Sequence, residues 1–136
     1  MRSFSERVPS TDIAYLFLLL ILLQIYHIFE EIAMEAYKLA ESLTKYLLVA
    51  SVLVTINVVA LYLLLRGLPA GYLLASLGAL IGIGNGLVHV LGYLRTRSFR
   101  GTAGAGFFTG IPLALVGGHC AVRADRRSRV LARHRT

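Results

Sequence analysis

The chain has 136 residues, 57% of them hydrophobic, with a mean hydropathy of +0.70 and a formal net charge of +7. That is too apolar for an ordinary soluble domain and short enough for one domain. A single cysteine, Cys120, excludes an internal disulfide and a multi-cysteine metal cluster within one chain.

A helix that crosses about 30 Å of hydrocarbon needs roughly 20 mostly apolar residues. Four stretches qualify, at about 13–34, 46–65, 70–94 and 102–122. They predict an all-α integral membrane four-helix bundle, multi-pass in a cell membrane, followed by a basic tail over 123–136. The chain lacks Trp, so tyrosines must supply aromatic interface anchors; Tyr15, Tyr46, Tyr72 and Tyr93 all fall near span ends.

The first span is uncharged from Ile13 to Phe29. This run is longer than a signal-peptide core of about 7–15 residues and lacks a clean small-residue cleavage site, so it reads as a retained helix. Near its end come His27, Glu30 and Glu31. On a helix of 100° per residue, Gln24, His27 and Glu31 share an arc of about 60°, with Glu30 beyond His27 on its other side. Either carboxylate is therefore within reach of an object bound by the imidazole.

The second span is uncharged and carries Asn57 at its middle. In the third, Asn85 and His89 are four apart, on the face that also carries Gly71, Gly78, Gly82 and Gly86. Glycines there predict close helix packing. The fourth span repeats small residues every four positions, at Thr102, Gly106, Gly110, Ala114 and Gly118, which predicts a second packing seam. His119 and Cys120, beside Arg123, read as an interfacial histidine and a packed thiol.

Charge asymmetry sets an expected orientation. Arg2, Arg7, Arg66, Arg123, Arg126, Arg127, Arg129, Arg133 and Arg135 share one side, and Lys38, Lys45, Arg95, Arg97 and Arg100 the other. The larger group marks the cytoplasmic side, which places both termini there. The tail has no aromatic residue to stack a base, so nucleic acid is not the expected partner.

An ionisable group inside a span costs about 2.5–3.5 kcal/mol on insertion scales and usually faces the bundle interior or a functional cavity. Spans one and three run in the same direction. At 1.5 Å per residue, His27 and Asn85 both lie roughly 21–23 Å along them, with Glu31 and His89 one turn deeper. Asn57 reaches the same layer from the opposite side. Two histidines, two glutamates and two asparagines thus converge on the outer half of the membrane.

The sequence His27-Ile28-Phe29-Glu30-Glu31, with the later Asn85-x-x-x-His89 pair, resembles the HXXEE family of small bacterial four-span membrane proteins. The likeness covers the chain from first span to fourth. It departs where Ser98-Phe99-Arg100-Gly101 stands in place of a Tyr-Asn-Pro-Gly-like turn. The resemblance implies a bacterial inner-membrane protein and brings no assigned activity.

The expected function is intramembrane metal binding, with His27, Glu31 and His89 as ligands of a divalent Zn, Fe or Mn ion. Asn85, Asn57 and Gln24 would support the site, and Glu30 would be free as a catalytic general base. The enzyme form of this reading acts on a lipophilic small molecule, with membrane lipids and a second copy of the chain as further partners. The alternatives are a proton relay or small-solute pathway, a haem held by His27 and His89, and a structural subunit with polar interhelical contacts.

Overall fold

The computed structural model describes residues 11–133. Arg2, Arg7, Arg135 and Thr136 lie outside the described residues, as do the side chains of Arg127, Arg129 and Arg133. Four helices follow one another: α1 (Thr11–Ala33), α2 (Leu43–Leu65), α3 (Pro69–Thr96) and α4 (Phe107–Arg133), with a short 3-10 turn at Ala36–Ala40. Each is long and apolar enough to cross a membrane.

Helix α1 buries Ile13, Ala14, Phe17, Leu20, Ile21, Gln24 and His27. These recur every three or four residues, as one face of a helix must. Helix α2 starts at Ser42, whose side chain accepts from the Lys45 N–H at 3.2 Å and so satisfies one of the first-turn donors. It is apolar all round and the least buried of the four, with only Asn57, Ala60 and Leu64 fully inside. Gly67, at φ +65°, reverses the chain, and Pro69 opens α3, where its missing N–H costs nothing. The outer faces carry Leu22, Leu48, Val52, Leu73 and Leu91, all exposed, so the surface is as apolar as the interior. Such a surface suits hydrocarbon better than water.

Helix α3 buries Gly71, Gly78, Gly82, Gly86 and His89, so its glycine face is its packed face. The tightest approach is to α4. A Cβ on Gly86 would stand 2.9 Å from Ala114 Cβ and 3.1 Å from the Gly110 carbonyl carbon, with the carbonyl oxygen nearer still. Gly86→Ala should therefore lose about 1–3 kcal/mol through overpacking. Gly84→Ala, which meets nothing within 4 Å, should melt like wild type or higher. Equal melting temperatures for the two variants in detergent would show that α3 and α4 do not cross at Gly86.

Helix α4 begins at Phe107 rather than near residue 102. Gly101 and Gly106 take φ of +64° and +86°, which breaks any helix through them. The segment before α4 folds back onto the end of α3. Tyr93 stacks on Phe99 with centroids 4.3 Å apart and packs on Phe107 at 4.8 Å. The Gly101 N–H donates to the Met34 carbonyl at 2.6 Å, which ties this segment to the end of α1. Thr102 belongs to the turn, donating to the Ser98 carbonyl at 2.8 Å. The seam expected every four residues holds at Gly110 and Ala114 and then shifts to Gly117, where a Cβ would stand 2.8 Å from the Ala79 carbonyl oxygen; a Cβ on Gly118 would meet nothing within 4 Å. Two helical turns take about 7.2 residues, so position 117 stays above 110 while 118 rotates away. At its other end α4 runs on to Arg133, so the basic segment after residue 122 continues as helix.

Candidate metal centre

His27 and Glu31 are one turn apart near the end of α1, and His89 projects from the packed face of α3. One donor atom from each of the three lies within 4.8 Å of the others. His89 Nε2 is 3.1 Å from Glu31 Oε1, and His27 Nε2 is 3.8 Å from Glu31 Oε2. The two imidazoles meet edge to face with centroids 4.7 Å apart, which leaves no space for a macrocycle between them and overturns the haem reading.

The hydrogen bonds around the rings determine which nitrogen carries the hydrogen. His89 Nδ1 lies 2.9 Å from the Ala103 carbonyl oxygen, an acceptor only, so Nδ1 donates. His27 Nδ1 lies 2.8 Å from Thr109 Oγ1. The single hydroxyl hydrogen of Thr109 goes to Glu30 Oε2 at 2.5 Å, so here too Nδ1 donates. A neutral imidazole with Nδ1–H has its lone pair on Nε2. Both lone pairs therefore point towards the Glu31 carboxylate.

Glu31 Oε2 accepts from the Tyr46 hydroxyl of α2 at 2.5 Å. His27 is 1% exposed, and its Nε2 is buried with no hydrogen-bond partner. A proton on His89 would satisfy Glu31 but leave His27 Nε2 without a partner. One cation among the three atoms satisfies all of them. Ligand atoms around a tetrahedral ion at about 2.0–2.1 Å are roughly 3.3 Å apart, close to the 3.1 and 3.8 Å between the imidazole Nε2 atoms and the Glu31 carboxylate.

The remaining residues read from the sequence divide into four groups. Glu30 is engaged at the start of α4, accepting from the Phe108 N–H at 3.0 Å, the Thr109 N–H at 2.8 Å and the Thr109 hydroxyl. A carboxylate over a helix N-terminus is favoured by the free N–H groups and the helix dipole. Gln24 and Asn57 pair with each other on the α1–α2 contact, one turn from His27, with Asn57 Nδ2 donating to Gln24 Oε1 at 2.6 Å. Gly78 makes room for Asn57, whose Oδ1 a Cβ at that position would strike. Asn85 is half-buried, and its side chain makes no hydrogen bond among the described residues. Cys120 is fully buried in the core cluster, as a packed thiol should be.

Four contributors were not read from the sequence. Thr109 bridges His27 to Glu30, and Tyr46 is a partner of Glu31 as well as a helix-end tyrosine. Ala103 acts through its backbone, which no side-chain pattern reveals. Gly106 lies against His27, where a Cβ would be 2.5 Å from Cε1. The signal for Thr109 was a polar residue facing an acidic pair of matching depth, but it required knowing where α4 starts.

Beside the cluster a cavity of about 360 Å³ opens between α1, α2 and α3. His27, Glu31, Tyr46 and Asn85 line one part of it, and Val49, Leu53, Ile81 and Val88 line its walls. Above the cluster Glu35 ties the two connections together, accepting from Lys38 Nζ at 2.5 Å and Arg100 at 2.7 Å. Lys38 first, and then Arg100, hold its carboxyl at about 2, well below the usual range. No family profile, curated protein or solved structure matches this chain.

Proposed function

We propose that this chain is a multi-pass membrane protein that holds one divalent transition metal on His27, Glu31 and His89. The observation that carries this reading is the buried, partnerless Nε2 of His27, aimed at the same carboxylate as His89 Nε2. Each imidazole donates its other N–H to a protein oxygen, as metal-binding histidines almost always do. Two imidazoles and one carboxylate form a donor set used for Zn and for non-haem Fe, and it leaves coordination positions open, as catalytic sites do.

In the enzyme form of this reading, His27, Glu31 and His89 would hold the ion, whose chemistry when bound would be activation of a water or polarisation of a substrate oxygen. The protein's part is to orient both rings, to exclude bulk water and to present an apolar cavity for a lipophilic molecule. We assign Glu30 a positioning role: it fixes the Thr109 hydroxyl, and Thr109 fixes the tautomer of His27. The His-x-x-Glu-Glu motif then has a physical division of labour, its second glutamate binding the metal and its first orienting the histidine. We read the chain as one of the HXXEE type on these residues.

Elemental analysis of protein purified without chelator tests the proposal. Zn, Fe or Mn near one per chain is expected. A folded, metal-free wild type would defeat it and favour a proton relay through the Glu31–His89 pair. The charge asymmetry also leads us to place both termini in the cytoplasm. Labelling of Thr136→Cys from outside intact cells would overturn that orientation.

A further inference from the structure

The cavity beside the cluster has a defined shape and a defined exit. Along α2 it follows Tyr46, Val49 and Leu53, and along the antiparallel α3 it follows Val88, Asn85 and Ile81. Each wall spans eight residues, or seven helical rises, so the groove runs about 10 Å parallel to the helices. Its polar end is at Tyr46 and Val88, beside Glu31 and His27. Its far end, at Leu53 and Ile81, is apolar apart from Gln24.

The exit faces lipid rather than water. Val49, Val88 and Ile81, on its rim, are 70%, 55% and 47% exposed on helices apolar enough to cross a membrane. The volume of about 360 Å³ is at the lower end of the 300–1,000 Å³ usual for ligand sites, which suits one chain and not two. The groove side of the polar end would be positive once a divalent ion sits with the Glu31 carboxylate, because Glu30 does not line the groove and lies on the Nδ1 side of His27, held by Thr109 and the start of α4. A positive face turned to the groove without an anionic partner is costly at this depth, so an anionic oxygen is the favoured partner. The Asn85 amide lines the groove one turn from His89 and can donate to such an oxygen.

Resting on the metal reading, we propose that this groove binds a single-chain fatty carboxylate, entering sideways from the bilayer between α2 and α3. Its chain lies along Val49, Leu53 and Ile81, and its carboxylate sits at the metal and Asn85. The volume of the groove takes one chain and not the two of a diacyl lipid, and a long-chain alcohol binds less well because it brings no negative charge to the ion.

A photoreactive diazirine analogue of palmitic acid, used on the purified full-length protein in detergent with metal content measured in parallel, tests this. Cross-links are expected in residues 46–53 and 81–88, and palmitate should compete at least tenfold better than hexadecanol. Leu53→Trp and Ile81→Trp fill the groove without touching His27, Glu31 or His89. Each should cut labelling at least tenfold at unchanged metal content. Labelling spread over all four helices, or unchanged in both Trp variants, would overturn the groove. Equal competition by hexadecanol would overturn the carboxylate. Undiminished labelling in a folded, metal-free His27→Ala protein would overturn the metal contact. Absence of metal from wild type defeats the metal reading separately, since it is read by elemental analysis and not by cross-linking.

Discussion

Alanine in place of any one of His27, Glu31 or His89 should remove most of the bound metal, and a second alanine should remove little more. Ligands of one ion act as a unit, so their losses are not additive. The distances make these three interdependent: both Nε2 atoms reach the same carboxylate, at 3.1 and 3.8 Å. Thr109→Val removes the acceptor that holds His27 Nδ1 and should weaken metal binding about 10–100-fold, the usual cost of losing such a partner. Glu30→Gln should do the same to a smaller degree, because an amide oxygen still accepts from the Thr109 hydroxyl or an α4 N–H. Asn85→Ala should leave metal content near wild type, since that amide bonds neither imidazole. Competitive metal titration and thermal melting give two readouts. Metal at a hundred times its dissociation constant stabilises a binding-competent protein by about 2.7 kcal/mol and should not stabilise the three alanine variants. Full occupancy in both His27→Ala and His89→Ala would exclude this site.

Gly106→Ala should lose both stability and metal binding. Gly106 sits at φ +86°, a conformation that costs a residue with a Cβ about 1–3 kcal/mol. The new Cβ would also stand 2.5 Å from His27 Cε1 and 3.2 Å from both ring nitrogens. Overpacking adds about 1–3 kcal/mol. The ring can escape only by leaving Thr109 or Glu31, so metal binding should fall together with stability. Gly118→Ala is the control: it meets nothing within 4 Å and replaces a helical glycine, which should gain about 0.5–1 kcal/mol. Wild-type melting and metal content in Gly106→Ala would mean that His27 is not packed against this turn.

The four helices and the buried faces of α1 and α3 were legible because hydrophobic length and the spacing of small and polar residues are local properties. Ile13, Phe17, Leu20, Gln24 and His27 lie on one face of α1 whatever surrounds them. The same arithmetic put His27, Glu31 and His89 in one layer, and the structure brings them together. Other features depended on contacts between elements. The start of α4 was not legible, because glycines at 101, 104 and 106 extend an apolar run as smoothly as a helix would. Only the fold of that segment against Tyr93 and Gly92 shows it to be a turn.

That turn determines most of the site's chemistry. It supplies the Ala103 carbonyl to His89, the close backbone of Gly106 to His27, and an α4 N-terminus that captures Glu30. The sequence determines by itself that a histidine and two glutamates are carried into a membrane-length helix, because residue type and helical period need no other part of the chain. What Glu30 bonds to, and which nitrogen of each ring is left free, is decided only by tertiary structure. Those answers depend on donors and acceptors, Thr109, Tyr46 and Ala103, that arrive from other helices and turns.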